Sequence, residues 1–148
     1  MIKSQKDFKK ILELSPRPCV EIILTRNKEK EFLLAKRTEN PYNKKYCVIG
    51  GSVFKKDRNI DESVKRELKR ELGLKMRKYK IAGVRKFNNL HSALGVKYSI
   101  ISIICKMKSL PNDKITLNKE NSDYKWFSKI EPNFPKQVKE ILKEAGFK

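Results

Sequence analysis

The chain has 148 residues, of which 39% are hydrophobic and 9% aromatic, and this predicts one domain over residues 1–148 with its own core. Its 36 basic and 17 acidic residues give a formal net charge of +19, which favours anionic ligands over cationic ones. The lysines are spread along the whole chain, and no aromatic residues are set among arginines. Nucleic acid is therefore open as a partner but is not the favoured one.

The three cysteines predict buried, reduced thiols. Cys19, Cys47 and Cys105 each lie in an apolar, β-rich run, and an odd number without close spacing argues against disulfides or a zinc site. The N-terminal run MIKSQKDFKK has no apolar signal core, and no apolar stretch approaches the length of about 18 residues that indicates a membrane span. We therefore expect a cytoplasmic protein that does not cross a membrane.

The first part of the chain predicts one helix followed by strands. Ser4 can cap a short helix, which Ser15-Pro16 ends. Runs of β-branched and apolar residues separated by a polar turn indicate strands. The predicted strands are residues 19–25, residues 31–37 after a turn at 27–30, and residues 46–49, which lead into Gly50-Gly51.

The clearest helix covers residues 60–72, entered at Asn59 and ended by Gly73. Its apolar residues recur every four positions and form the stripe that faces the core: Ile60, Val64, Leu68 and Leu72. The later elements are, in order, strands at 79–87 and 96–107 around a polar loop at 88–95, short strands at 115–117 and 124–127, and a helix at 135–145. Strands and helices in this order indicate an α/β sandwich around a mixed sheet.

Two glutamates on the helix at 60–72 are the first candidates for chemistry. Glu67 and Glu71 are four residues apart, so their carboxylates project from the same side of the helix. Like charges at this spacing cost about 0.2–0.5 kcal/mol, but together they can hold Mg²⁺ or Mn²⁺, which prefer oxygen ligands. The alternative is ordinary surface pairing of Glu67 with Arg70 and of Glu71 with Lys75, and spacing alone does not decide between the two.

The residues around this pair resemble the Nudix box, the strand–loop–helix signature of the Nudix hydrolases. The resemblance lies in residues 51–53, GSV, and residues 66–74, RELKRELGL. The box runs from a glycine through a loop glutamate to Arg-Glu-apolar-x-Glu-Glu-x-Gly-apolar. Here the loop is one residue longer, its glutamate falls near Asp57 or Arg58, and Arg70 replaces the first glutamate of the Glu-Glu pair. The resemblance implies a Nudix-type α/β/α sandwich around a mixed β-sheet and a metal-dependent hydrolase, with fewer or more weakly bound metal ions because of Arg70.

Outside the box the chain is most similar to one Nudix branch, the GDP-mannose mannosyl hydrolases. The likeness extends from Phe8 to about Trp126 and includes residues 32–38, FLLAKRT, followed by Pro41, and residues 122–126, SDYKW. That branch hydrolyses GDP-mannose at the sugar carbon to give GDP and mannose. Most other Nudix enzymes attack phosphorus instead.

The resemblance implies a metal site. The Gly50 carbonyl, Glu71 and Glu120 would hold Mg²⁺ or Mn²⁺, and Glu67 would be a further ligand. Glu120 has a plain alternative as a solvated acid of the run at 118–123. Arg66 would position Glu67 or touch phosphate.

The resemblance also implies substrate contacts from Arg37, Glu21 and Tyr98. A guanidinium suits a diphosphate because it offers several donors in a fixed fork. Each residue has an ordinary alternative: an end-of-strand charge for Arg37, an edge or solvent-facing position for Glu21, and core packing for Tyr98. For Arg66 the alternative is a helix salt bridge with Glu62.

The general base is left open by the sequence. In the mannosyl hydrolases a histidine beside the late-loop ligand activates water, but here that position is Asn121, whose amide cannot take a proton. The only histidine is His91, in the predicted loop at 88–95, and imidazole is a suitable base near neutral pH. Glu67 is present where the mannosyl hydrolases lack the box glutamate, which favours attack on phosphorus with Glu67 as the base.

The sequence therefore predicts a Mg²⁺-dependent hydrolase of a nucleoside diphosphate sugar of the GDP-mannose type. Its products would be GDP plus mannose, or GMP plus a sugar phosphate. Two alternatives stay open: a Nudix pyrophosphatase acting on another nucleotide, and a catalytically silent Nudix module that binds nucleotide or RNA. Retention of both Glu67 and Glu71 favours the enzyme. The expected partner is the small-molecule nucleotide sugar, and a homodimer is left open.

Overall fold

The computed structural model describes residues 4–92 and 94–148. It contains three helices and seven strands: α1 (Gln5–Leu14), β1 (Arg17–Arg26), β2 (Glu31–Arg37), β3 (Tyr46–Cys47), β4 (Ile49–Ser52), α2 (Ile60–Leu72), β5 (Tyr79–His91), β6 (Lys97–Lys108), β7 (Asn121–Phe127) and α3 (Lys136–Glu144). The strands form one sheet in the order β3-β2-β1-β6-β5, in which β4 also pairs with β1 and β7 with β2. The sheet is mixed, because β1 and β6 are parallel and the other described pairs are antiparallel.

The side chains of β1 alternate between two cores, one on each face of the sheet. Val20, Ile22 and Leu24 belong to the core that packs against α2. Cys19 and Ile23 belong to the other core, which also contains residues of α1 and α3. Helices therefore cover both faces of the sheet, and the predicted α/β/α sandwich around a mixed sheet is confirmed.

Helix α2 begins and ends where the sequence predicts. The Asn59 side chain accepts a hydrogen bond from the Glu62 N–H in the first turn. Gly73 ends the helix in the left-handed conformation, with φ of 68°. Val64, Leu68 and Leu72 have no exposed surface, so the predicted apolar stripe faces the core.

Three local predictions were wrong. Residues 88–91 are not loop but the end of β5, where Leu90 pairs with Tyr98 of β6 after a register shift. Residues 115–117 form no strand; the Thr116 N–H instead donates to the Leu72 carbonyl at the end of α2. The predicted strand at 46–49 is interrupted at Val48 and gives the two short strands β3 and β4. In each case pairing with a distant part of the chain overrides the local pattern.

The three cysteines are buried and free, as predicted. Burial raises the pKa of Cys19, Cys47 and Cys105 to about 12, so the thiols stay protonated and unreactive near neutral pH. In the part of the chain that the structure describes, no helix is long and apolar enough to cross a bilayer.

Candidate active site

A cleft of about 540 Å³ is lined by two kinds of side chain, and its size is within the range of ligand sites. The first kind is mostly apolar and, apart from Leu94, comes from the core that contains residues of α1 and α3: Phe8, Leu12, Leu90, Leu94, Tyr98, Ile100, Val138 and Ile141. The second kind is charged: Arg17, Glu21, Arg37, Glu39, Arg66, Glu67, Arg70 and Glu120, with Gly50 and Gly51 beside them.

Glu67 is buried against β4, and Gly51 makes this approach sterically possible. A Cβ at position 51 would lie 2.6 Å from the carboxyl carbon of Glu67, so any larger residue would displace the carboxylate. Arg66 Nε donates to one carboxylate oxygen at 3.3 Å, and Arg70 Nε donates to the other at 2.9 Å. The side chain of Glu67 is only 3% exposed, so its contact with Arg70 is not the surface pair considered from the sequence.

Glu71 is equally buried and is joined to the late loop. Its Oε2 accepts a hydrogen bond from the Asn121 amide, and its Oε1 accepts one from Arg70 Nη2 at 2.8 Å. Burial raises the pKa of Glu71 to about 7, although Arg70 opposes the shift. The sequence alternative, a surface pair with Lys75, gives way to these two contacts.

The Arg70 guanidinium lies between the predicted metal ligands. Its Nη2 is 2.5 Å from Glu67 Oε2, 2.8 Å from Glu71 Oε1 and 3.5 Å from the Gly50 carbonyl. Its Nη1 is 3.0 Å from Glu120 Oε2. The structure therefore brings all four predicted ligands together around one cationic group.

The donor chemistry of this cluster fits a magnesium or manganese ion. Three carboxylates and one carbonyl are the hard oxygen ligands that these ions prefer. The same four groups contact Arg70, so the ion and the guanidinium would share one set of oxygen-bearing groups. Within residues 4–92 and 94–148, no three or more acidic, histidine or cysteine side chains are already arranged to hold a metal ion.

Arg66 is fixed by Asp57, which stands near the loop glutamate position of the box. Asp57 accepts hydrogen bonds from the Arg66 guanidinium, from the Phe54 N–H and from the Ser63 hydroxyl on α2. Burial alone would raise the pKa of Asp57, but these donors lower it to about 2. Arg66 also donates to the Ser52 carbonyl at 2.6 Å. The predicted alternative partner of Arg66, Glu62, binds Arg58 instead.

The three predicted substrate contacts line the same cleft. Glu21 lies on the central strand β1, not on an edge, and accepts a hydrogen bond from Ser102 Oγ at 3.1 Å. Burial raises its pKa to about 7, against the opposing effects of Ser102 and Arg37. Arg37 Nε donates to the Pro41 carbonyl at 2.7 Å, and Tyr98 is buried in the core with 8% of its surface exposed. Their contacts with a substrate stay predictions.

His91, the histidine considered as a base, and Asn121, which stands where the mannosyl hydrolases have their histidine, lie in different places. His91 is exposed at the end of β5 and does not line the cleft, although its neighbours Leu90 and Ser92 do. Its role as a base stays a prediction that its position does not support. Asn121 is buried and donates its amide to Glu71, so it orients a carboxylate.

Arg17 and Arg70 belong to this site but were not predicted from the sequence to act in it. Arg17 lines the cleft and donates to the Ser52 hydroxyl. Nothing in the sequence distinguishes it from the other basic residues. Arg70 did leave a signal, because an arginine stands where the box has a glutamate, but that signal indicated only a lost ligand.

Comparison with known proteins identifies the family. The NUDIX domain model matches residues 15–145. A sequence comparison with curated proteins finds no match.

Several solved structures share the fold. A MutT protein from Methanosarcina mazei Go1 is 25% identical with a TM-score of 0.72, over 89% of this chain and 94% of that chain. A MutT NUDIX hydrolase from Burkholderia pseudomallei is 17% identical with a TM-score of 0.72, over 88% and 98%. The NUDIX domain of Shewanella oneidensis NrtR, complexed with ADP ribose, is 16% identical with a TM-score of 0.61, over 84% and 83%.

The region matched by the family model runs from before β1 to just beyond α3 and includes the whole box with Glu67 and Glu71. These comparisons leave the GDP-mannose branch as a proposal, because a shared fold does not fix the substrate. The chain thus belongs to the NUDIX domain family, and the prediction of a Nudix hydrolase is confirmed.

Proposed function

We propose that the chain hydrolyses a nucleoside diphosphate derivative, with a nucleotide sugar of the GDP-mannose type as the first substrate to test. One observation carries this proposal: Arg17, Arg37 and Arg66 line the same cleft as the buried carboxylate of Glu67. Guanidinium groups bind phosphate oxygens through paired donors, and several of them suit a diphosphate. The excess positive charge of the chain steers such an anion toward the protein.

The remaining lining of the cleft suits the nucleoside or sugar. The apolar side chains from α1, β5, β6 and α3 offer surface for a flat base. Glu21 lines the same cleft and offers a buried carboxyl oxygen, which can accept a hydrogen bond from an amino group of a base or from a sugar hydroxyl. Tyr98 adds an aromatic ring with a hydroxyl group.

The charged residues and the Gly50 carbonyl would have separate roles in metal binding, proton transfer and phosphate binding. The Gly50 carbonyl, Glu71 and Glu120 would hold Mg²⁺ or Mn²⁺, which when bound would neutralise charge on the diphosphate. Glu67 would accept the proton of the attacking water, and Arg66 would orient Glu67 through its contact at 3.3 Å. Arg37 would hold a phosphate oxygen in the orientation required for attack.

The positions of the candidate bases bear on which bond is cut. Glu67 lies in the cleft and His91 does not, which supports attack on phosphorus with release of GMP and mannose 1-phosphate. The resemblance to the mannosyl hydrolases instead supports attack on the sugar carbon, with release of GDP and mannose. Other nucleoside diphosphate derivatives, such as ADP-ribose, present the same diphosphate to the cleft.

A second candidate is a nucleotide-binding module without turnover. It is supported by the position of Arg70, whose guanidinium contacts the oxygens that a metal ion would need. Such a module would keep the arginines and the apolar lining but lose the hydrolytic step.

Product analysis tests the proposal. The protein is incubated with GDP-mannose and Mg²⁺ in ¹⁸O-labelled water, with an EDTA control, and the products are identified by chromatography and mass spectrometry. Labelled GMP or labelled mannose 1-phosphate indicates attack on phosphorus, whereas mannose with unlabelled GDP indicates attack on carbon. A panel containing ADP-ribose, a dinucleotide and an oxidised triphosphate extends the test. Binding of these nucleotides without release of any product would reject the enzyme and favour the module.

A further inference from the structure

We propose that Arg70 is a built-in cation that competes with a divalent metal ion for one set of oxygen donors, so that the ion binds only when the guanidinium is displaced. The inference rests on the proposed function only in taking the metal ligands Gly50, Glu71 and Glu120, together with the proposed base Glu67, as that set. It adds a role for Arg70 that the box pattern does not contain.

The contacts of Arg70 are those expected of a cation at the centre of this set. Its Nε and Nη2 both contact Glu67 Oε2, at 2.9 Å and 2.5 Å. The same Nη2 is 2.8 Å from Glu71 Oε1, and Nη1 is 3.0 Å from Glu120 Oε2. One planar group thus reaches three carboxylates, which a fork of fixed donors can do and a point charge cannot.

Burial shows why the position needs a cation. The side chains of Glu67 and Glu71 are each 3% exposed, and two buried carboxylates without a countercharge would be strongly unfavourable. Arg66 supplies one positive charge to Glu67 at 3.3 Å, and either a metal ion or Arg70 can supply the second positive charge. Both cannot occupy one position, because like charges repel strongly at short distance.

Exposure shows how the exchange can occur. Arg70 is 37% exposed and Glu120 is 41% exposed, so an ion that enters from solvent meets their pair before it reaches the buried carboxylates. Exposed ion pairs contribute little stability, so the outer contact can open. The metal affinity that is measured is then the intrinsic affinity reduced to the fraction of molecules in which Arg70 has moved away.

Direct measurement of Mn²⁺ binding tests this inference without reference to turnover. The electron paramagnetic resonance signal of free Mn²⁺ gives the dissociation constant of the wild type and of Arg70→Gln. If the competent fraction is about 1–10%, removal of the guanidinium should tighten binding by roughly ten- to hundred-fold. Lys69→Gln, at an exposed neighbouring position on α2, is the matched control and should leave the affinity unchanged.

A third variant separates competition from charge. Arg70→Lys keeps the positive charge but replaces the fork with a single ammonium, so it should bind Mn²⁺ more tightly than the wild type and less tightly than Arg70→Gln. Equal Mn²⁺ affinities for Arg70→Lys, Arg70→Gln and the wild type would overturn the inference. Unchanged or weaker binding by Arg70→Gln would also overturn it.

Wild-type protein provides the measurement should Arg70→Gln fail to fold. The Nε–H signal of Arg70 in ¹⁵N spectra, assigned by its loss in Arg70→Lys, should shift as Mg²⁺ is added; no shift at saturation would overturn the inference. Tight Mn²⁺ binding by Arg70→Gln without hydrolysis by the wild type would reject the proposed function and leave this inference standing. Hydrolysis by the wild type, combined with a Mn²⁺ affinity of Arg70→Gln equal to that of the wild type, would support the proposed function and overturn this inference.

Discussion

The buried glutamate of β1 makes the stability of the protein depend on pH in a defined direction. Glu21 is 9% exposed, and its carboxylate accepts a hydrogen bond from Ser102 on the parallel neighbour β6. Burial disfavours the charged form and raises the pKa of Glu21 from 4.5 to about 7. Replacing Glu21 by glutamine removes the titration while preserving the size of the side chain.

The size of the effect follows from the two pKa values. Between pH 4.5 and about 7 the folded protein holds a proton on Glu21 that the unfolded chain has lost, so stability falls as the pH rises through this window. Each unit of difference in pKa corresponds to about 1.4 kcal/mol. Between about pH 5 and pH 8 the wild type should therefore lose roughly 2–3 kcal/mol through Glu21, a loss that Glu21→Gln avoids.

Urea unfolding of both proteins at about pH 5 and pH 8 measures this effect, in EDTA so that no metal ion lies near the carboxylate. The quantity compared is the change with pH in the free energy of unfolding of Glu21→Gln minus that of the wild type, in which the other titrating groups cancel. Glu13→Gln, at an exposed position of α1, is the control for loss of one carboxylate charge. A change below about 0.5 kcal/mol, or one in favour of the wild type, would refute the reasoning.

Three further substitutions test the geometry of the cleft. Gly51→Ala places a methyl group 2.6 Å from the carboxyl carbon of Glu67. We expect turnover to fall by about ten-fold or more and the free energy of unfolding to fall by about 1–3 kcal/mol. Full activity would show that Glu67 is not needed in this position. Asn121→Ala removes the donor to a buried oxygen of Glu71 and should cost about 1–3 kcal/mol in urea unfolding, whereas no cost would contradict this contact. Arg37→Lys keeps the charge but loses the fork, so steady-state kinetics should show KM for the nucleotide raised by about ten-fold with a smaller change in kcat. An unchanged KM would mean that Arg37 does not bind phosphate.

The parts of the fold that local rules decide could be predicted from the sequence. The ends of α2 depend on Asn59 and Gly73, and its buried face depends on a four-residue repeat within the helix itself. The end of β5 could not be predicted in this way. Residues 88–91 are polar like a loop except for Leu90, and pairing of Leu90 with Tyr98 and of His91 with Lys97 makes this segment part of a strand.

The candidate site also has a part that local rules predict and a part that depends on distant contacts. The helical period alone places Glu67 and Glu71 on one side of α2. It does not reveal that β4 brings Gly50 and the late loop brings Glu120 to Arg70, because those contacts join distant parts of the chain.

Glu21 is a second case of this kind. A lone glutamate in an apolar strand looks the same on an edge as in the centre of a sheet. Only the parallel pairing of β1 with β6 places Ser102 beside it and encloses the carboxylate.

The central claim is that a nucleoside diphosphate derivative is hydrolysed where Glu67 and Glu71 meet the cleft. The most direct test compares the turnover of GDP-mannose, and of the nucleotide panel, by the wild type, Glu71→Gln and the exposed control Lys75→Gln, each verified as folded by circular dichroism. We expect equal turnover by the wild type and Lys75→Gln, and a rate lower by about a hundred-fold or more for Glu71→Gln. Undiminished turnover by Glu71→Gln, or no turnover of any nucleotide by the wild type, would contradict the claim.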